Sequence, residues 1–396
     1  MAISCLVPDL ITAASCFSCV PEGMLQAVKT SFLCTMAAVK PPTLDLRNDS
    51  QVGFNVLTWT NNDTYTTLQV FRSSDGVNYT NVQTLAGNVT TWTDPLNVLP
   101  VNVQFFWKIR ATGAGGTAFS NIISIFNNYV DPNDAAITAI NFPTLRMVYV
   151  NFDSQNCANL ASVSMPILRN VTGELRLHDN PSLVTLNLPQ LYSVGTFLYL
   201  YNSGETTISL PALFAVGQSL AVSGMPNLTM LNAPLFQQGG DLDLSNNHAA
   251  FNFNLPNLTV LTGNLTLSAC VFGTVDLSSA FLNLNNVVSI ICGGGNITKM
   301  SFPLLAGMTG CNISGVASLV SLGFGNGVWV DSKSYLFTGC GLNAAAVNQI
   351  LHICVASGLA HSVINLTGGT NSPPTGQGLT DRATLQAQPG NTCTTN

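Results

Sequence analysis

An apolar-x-apolar pair that recurs at a near-constant step limits what this chain can fold into more than any other feature. It reads Leu175/Leu177, Leu198/Leu200, Leu220/Val222, Leu242/Leu244, Leu265/Leu267, Val288/Ile290 and Cys311/Ile313, and a longer step back reaches Val148/Val150. The second members thus advance by 22 or 23 each time. A proline keeps the same phase at Pro143, Pro166, Pro189, Pro211, Pro234, Pro256 and Pro303, mostly followed by x-Leu. A unit of this size cannot bury its apolar face alone, so stacked units must share one continuous core. The second half of each unit carries Leu-Pro and no helical period. It is therefore expected to be extended, giving a β-solenoid over 131–326 and not a helix-backed horseshoe.

Shorter alternating segments precede the repeats at Val52–Trp59, Thr67–Arg72, Thr80–Leu85, Thr91–Thr93, Val103–Ala111 and Ala118–Ile125, with Asp75-Gly76 as a hairpin turn. They predict a β-sandwich over 41–130. The stretch 1–40 holds Cys5, Cys16, Cys19 and Cys34 and a helical period from Met24 to Val39, closed by Pro41-Pro42. Cys16 and Cys19 have one zinc-knuckle spacing but no second close pair or nearby histidine, so a disulfide staple or plain packing competes with zinc. The other cysteines read as buried thiols. Residues 327–396 are expected to close the open end, with an amphipathic helix over 342–358, a strand near 363–369 and a short helix at 380–388. The predicted fold class is thus mainly β, with an N-terminal Cys-rich helical module and a helical C-terminal cap.

Three resemblances follow from these residues. Phe-Asn-Val-Leu-Thr-Trp59, Val70-Phe-Arg-Ser-Ser-Asp-Gly-Val-Asn-Tyr79 and Phe105-Phe-Trp-Lys-Ile-Arg-Ala111 resemble a fibronectin type III domain, although its corner tyrosine falls on Phe105. Leu175-x-Leu177-x-x-Asn180 and Leu242-x-Leu244-x-x-Asn247 resemble a leucine-rich repeat strand, and the whole array is similar to the receptor L domain and to bacterial leucine-rich surface repeats. Cys16-Phe-Ser-Cys19-Val-Pro-Glu-Gly-Met24 and the stretch from Ile364 to Gly378 resemble segments at the two ends of bacteriophage and bacterial surface proteins. In those proteins a Gly-Trp-Thr-Val strand follows. Here it is Pro389-Gly-Asn-Thr-Cys393, which leaves the last strand open.

Composition narrows the function classes. Charged residues are 8% of 396, 12 basic against 18 acidic, for a net charge of −6. No basic patch is available for nucleic acid, and no stretch approaches the run of about 18 apolar residues that a spanning helix needs. No lysine or arginine precedes Lys29, so a conventional signal peptide is not expected. Asn-x-Ser/Thr occurs eleven times, as a secreted glycoprotein would show, but Asn, Ser and Thr are abundant enough to produce such triplets by chance.

No nucleophile elbow, zinc-protease, phosphate-loop or dinucleotide motif appears, and the four histidines have no ligand spacing. No cofactor, no metal and no enzymatic activity are expected. With the leucines inward, the outward residues of successive coils read Glu174-Arg176-His178, Phe197-Tyr199-Tyr201, Ser219-Ala221-Ser223 and Asp241-Asp243-Ser245. Arg176, His178, Phe197, Tyr199, Tyr201, Asp241 and Asp243 are the candidate binding residues. Asp241 and Asp243 could also bind calcium, although an oxygen cage of six or more ligands favours a solvated pair.

The resemblances imply a virion structural or adhesion protein, such as a bacteriophage tail, fibre or decoration component on the virion surface. It would be a homo-oligomer that docks other virion or surface proteins through its N-terminal module and meets a glycan or protein receptor through the solenoid face. The alternative is a secreted or cell-surface leucine-rich adhesin or receptor ectodomain.

Overall fold

The computed structural model describes residues 38–46, 55–95, 100–131, 133–248, 251–268 and 275–396. The helical module with Cys5, Cys16, Cys19 and Cys34 lies outside the described residues, as does Cys270. Of the described residues, 41% are in strands and 7% in helices.

Two antiparallel sheets come first. Thr43–Leu46 pairs with Asn55–Thr60, which pairs in turn with Thr91–Asp94. The second sheet orders Thr80–Ala86, Thr67–Ser73 and Gln104–Gly113, with Gly116–Phe119 and Ile123–Phe126 along the far edge of the last. Period-two alternation puts Leu57, Trp59, Leu68, Val70, Trp107 and Ile109 between the sheets, all buried. A buried carboxylate is tolerated only when bonded, and Asp94 accepts from Trp107 Nε1 at 2.8 Å and pairs with Arg72 at 2.8 Å. At the expected hairpin turn Asp75 Oδ1 accepts the backbone N–H groups of Val77 and Asn78, and Gly76 sits at φ +73°.

The sandwich runs into the next unit without a linker. Ile123–Phe126 is antiparallel to Gln104–Gly113 on one side and parallel to Leu145–Val148 on the other. From this shared strand a β-solenoid of about nine turns extends over residues 124–336. The first coil serves both cores, because an irregularity between Leu145 and Met147 shifts the alternation: Met147 and Tyr149 face the sandwich, Leu145 and Val148 the solenoid. Arg146, 8% exposed, clamps the joint through a two-pronged bond to Asp45, with Nη2 to Oδ2 at 2.8 Å. Burial pushes the Asp45 carboxyl up, but the Arg146 hydrogen bond and charge outweigh it and hold Asp45 below its ordinary range.

Each coil contributes to three parallel ladders. One stacks Leu175, Leu198, Leu220, Leu242, Leu265 and Ile290. A second stacks Val148, Val171, Val194, Val216, Gly239 and Leu261. The third closes the coil with Ile140, Val163 and Leu186, then Ile208, Leu231 and Phe253, then Leu277, Met300 and Leu322. Burying each such side chain is worth about 1.5–3 kcal/mol.

Two phase assignments from sequence are corrected. The pair that continues the leucine ladder is Ile290/Cys292, because Ile290 sits opposite Leu265 and Val288 is 38% exposed. Upstream, Phe152 stands opposite Leu175, and Val150 is an outward residue. The ladder takes a long step from Leu265 to Ile290 and a short one from Ile290 to Cys311. A uniform step therefore misplaces the residue between them while landing correctly on Cys311.

Between the first two ladders the chain bends at Gly173, Gly195, Gly217, Gly240 and Gly263. Here coils approach so closely that a Cβ at Gly195 would overlap the carbonyl oxygen of Thr172, and one at Gly240 that of Gln218. At another corner Asn247 Oδ1 accepts from Met225 N at 3.2 Å, while its Nδ2 donates to Val222 O at 2.7 Å and Leu244 O at 3.0 Å. Asn180 accepts from Cys157 N and donates to Ser154 O, both at 2.8 Å. Asn371 and Asn391 do the same near the C-terminus.

The end of the solenoid is covered by a helix, Ala344–Ala356, capped by Asn343 at its start and followed by Gly358 at φ +67°. Val347, Ile350, Leu351 and Cys354 press onto the last coils. Val363–Leu366, the helix Gln377–Ala387 and Thr392–Thr395 follow. The final strand forms in parallel register with Val363–Leu366 despite the altered sequence before it. Cys157, Cys292, Cys311, Cys340, Cys354 and Cys393 are buried and unbonded, and burial pushes the Cys311 thiol well up. Among the described residues no helix is long and apolar enough to cross a membrane.

Two glycine substitutions and one asparagine substitution test this packing by thermal melts. Gly195→Ala should cost about 1–3 kcal/mol through overpacking against a backbone oxygen. Gly293→Ala, whose added methyl would meet nothing closer than 3.7 Å, should melt with the parent. Asn247→Leu should cost about 1–3 kcal/mol by orphaning the three backbone groups it serves; a melting point equal to the parent would show that water replaces them.

Candidate functional site

The outward stripe exists, and the ladder register sets its geometry. Arg176 stands opposite Tyr199, then Ala221, then Asp243. Phe197 stands opposite Ser219, then Asp241. Adjacent strands in a sheet lie about 4.8 Å apart, so each column is a row of side chains at that spacing.

Five of the seven candidate residues form one cluster across two coils. The His178 ring stacks on Tyr201 with centroids 4.2 Å apart and planes 14° from parallel, and meets Tyr199 edge-on at 5.9 Å. Tyr199 contacts Tyr201 at 5.6 Å and Phe197 at 5.1 Å. His178 is itself buried, with Nδ1 2.7 Å from Asp179 Oδ2, so it supports the tyrosines more than it faces solvent. Arg176 is held by Glu174 and by Asp153, the latter at 3.5 Å. Burial pushes the Tyr199 phenol up, and Glu174 and Asp241 add to this against the opposing pull of Arg176. Burial, then Asp179, does the same for Tyr201. Both phenols therefore keep their protons at neutral pH and can donate as well as accept hydrogen bonds.

Asp241 and Asp243 are set apart from the aromatics by one coil of small residues, Ser219, Ala221 and Ser223. The result is a shallow trough about 10 Å across, two strand spacings, with an aromatic wall and a carboxylate wall. Each aspartate already bonds locally: Asp241 Oδ1 accepts from Asn264 N at 2.6 Å, and Asp243 Oδ1 from Ser245 N and Oγ at 3.0 and 2.6 Å. Their remaining oxygens are the acceptors the trough offers. Among the described residues no three His, Cys, Asp or Glu side chains converge as a metal site would require.

Sequence reasoning missed a second outward row. Tyr192 and Phe214 stack at 5.2 Å and 6°, and the Arg169 guanidinium lies 5.4 Å from the Tyr192 centroid. All three directly follow a Pro-x-Leu, as do Arg146 and Thr259, so the phased proline marked this column too.

No protein-family model matches the chain, and no curated protein matches it. Among solved structures it is similar to pectate lyase PelI from Erwinia chrysanthemi in complex with tetragalacturonic acid. That match has 11% identity, 75% of this chain and 85% of that chain covered, and a TM-score of 0.19. It is also similar to pectate lyase Pel3 from Pectobacterium carotovorum, at 12% identity with 83% and 90% covered and a TM-score of 0.19. The expectation that the chain has no enzymatic activity is withdrawn: the solved structures it is similar to are enzymes with β-helix folds. That expectation rested on missing short motifs. In a solenoid, side chains that meet belong to different coils, as Arg176 and Tyr199 do, and no short motif can register them. At a TM-score of 0.19 the likeness carries neither a reaction nor a substrate to this chain.

Proposed function

We propose that the chain is a recognition protein of a virion or cell surface, whose solenoid presents the trough beside Tyr199 and Tyr201 to a glycan. The observation that carries this reading is the aromatic wall itself. Phe197, Tyr199 and Tyr201 are half-exposed, locked to each other and to His178, and rooted in backbone ladders that leave them few alternatives. Preordered aromatics offer a sugar face contact area at low entropy cost, and the Asp241 and Asp243 carboxylates can accept from its hydroxyls.

The finer reading adds architecture and place. In it the sandwich is a fibronectin type III-like spacer, the coils are leucine-rich and receptor L-domain-like, and the chain is a bacteriophage tail, fibre or decoration component. Residue order and motif resemblance support this: the Cys-rich start, the sandwich, the solenoid and the cap follow one another as they do in such proteins. An exported leucine-rich adhesin is the second reading, supported by the Asn-x-Ser/Thr triplets. Co-purification with DNA-filled particles would favour the first, and recovery in a cell-envelope fraction the second.

The binding site is tested separately. The double variant Tyr199→Ala, Tyr201→Ala should lose binding to a glycan array or host-cell surface by at least tenfold while its particle or oligomer still assembles. Retained binding, or failed assembly, would identify the stripe as a structural interface.

A further inference from the structure

One coil carries an acid where its neighbours carry leucine. At the corner that follows the aromatic strand, successive coils read Cys157-Ala-Asn-Leu160, Asn180-Pro-Ser-Leu183, Ser203-Gly-Glu205 and Met225-Pro-Asn-Leu228. Leu160, Leu183, Leu228 and Phe251 form a buried column with one step missing between Leu183 and Leu228, and Glu205 fills it. The corner here is one residue shorter than its neighbours. In each of the others the residue of the column donates its N–H to the carbonyl three positions back: Leu160 to Cys157, Leu183 to Asn180, Leu228 to Met225. With three residues instead of four, that turn cannot close at Glu205.

The Glu205 side chain is fully buried, and neither carboxylate oxygen has a hydrogen-bond partner. Burial pushes its carboxyl up to about 7; its own backbone N–H, near but not aligned as a hydrogen bond, pulls weakly the other way. No other charged group contributes. The coil packed below brings His178 and Asp179 to the same corner, whereas the coil packed above, residues 222–228, carries no titratable side chain, and His248 stands one coil further on. His178 and Asp179 pair with each other, and Asp179 Oδ1 also accepts from Asn202 Nδ2 at 2.7 Å.

We propose that Glu205 is a built-in pH-sensitive weak point: uncharged, it completes the apolar column, and charged, it loosens the segment 201–209 from the coils around it. That segment includes Tyr201, so loosening it also releases the stack on His178. The device belongs to the fold and stands whether or not the aromatic stripe binds a glycan.

The sign is that of a carboxyl whose folded-state value lies above its open-state value. Below about 4.5 both states are protonated and the coil is tightest. As pH rises the open state ionises first, so opening becomes easier up to about 7 and levels off above it. Between pH 5 and pH 8 the opening equilibrium should rise on the order of 50- to 100-fold.

Backbone amide hydrogen exchange of the full chain, followed by mass spectrometry at pH 5, 6, 7 and 8 and corrected for intrinsic exchange, reads this directly. Peptides spanning 201–209 should lose protection across that range relative to peptides from 175–190. In Glu205→Leu the pH dependence should vanish and protection at pH 8 should rise. Glu205→Gln, closer in size and always neutral, should also be insensitive to pH and serves if the leucine variant does not fold. Flat protection in the parent overturns the proposal, and so does a pH dependence that survives in either variant.

Discussion

Every coil of this protein is held by hydrogen bonds to the coil before and the coil after it, in register. Because the bonds run from backbone to backbone, residue 175 must face residue 198 and residue 198 must face residue 220, whatever their side chains. The side chains are then sorted into columns. Leucines stack on leucines inside, and whatever lies between them stacks outside. The glycine bends show how tight this regime is, since a methyl group at Gly195 would sit on the carbonyl oxygen of the coil beneath. The asparagines at the corners show its other requirement: turning chain leaves buried backbone groups, and each must find a partner.

The same ladder joins the two large units. Ile123–Phe126 is the last strand of one sheet and the first of the other, so the orientation between sandwich and solenoid is carried by main-chain bonds and by the Arg146–Asp45 clamp. A surface built on such a scaffold does not have to be ordered when a ligand arrives. This is why the aromatic wall is the feature of most functional interest: Phe197 and Tyr199 stand on a strand whose neighbours on both sides are committed, and Tyr201 follows just beyond it.

Much of the fold was legible because periodic burial leaves a periodic trace. The Leu-x-Leu pairs, the phased prolines and the asparagines at Asn180 and Asn247 each report a column, and alternation along a strand then points Arg176, Tyr199 and Asp243 outward. Legibility failed where the period itself slipped. The long step before Ile290 and the short step after it cancel, so a constant interval passed over the error and turned Val288 inward. A shortened corner at Ser203-Gly204 moved Glu205 into the leucine column, although an isolated glutamate in a polar stretch reads as solvent-exposed. Tyr192 and Phe214 were overlooked for a different reason: their proline marker was read as a sign of backbone shape alone.

Composition and period were enough to establish that this chain stacks short extended coils around an apolar core, that a strand-rich unit precedes them, and that a helix closes the end. Such signals act locally and repeat often enough to average out exceptions. Which columns meet was settled only on folding. Folding put a histidine under two tyrosines, a carboxylate pair one coil beyond them, one strand in two sheets, and an acid with no partner inside the core. Each of these depends on the register between segments a full coil apart, and register is set by the sum of small length changes at the corners, which no single stretch of sequence contains.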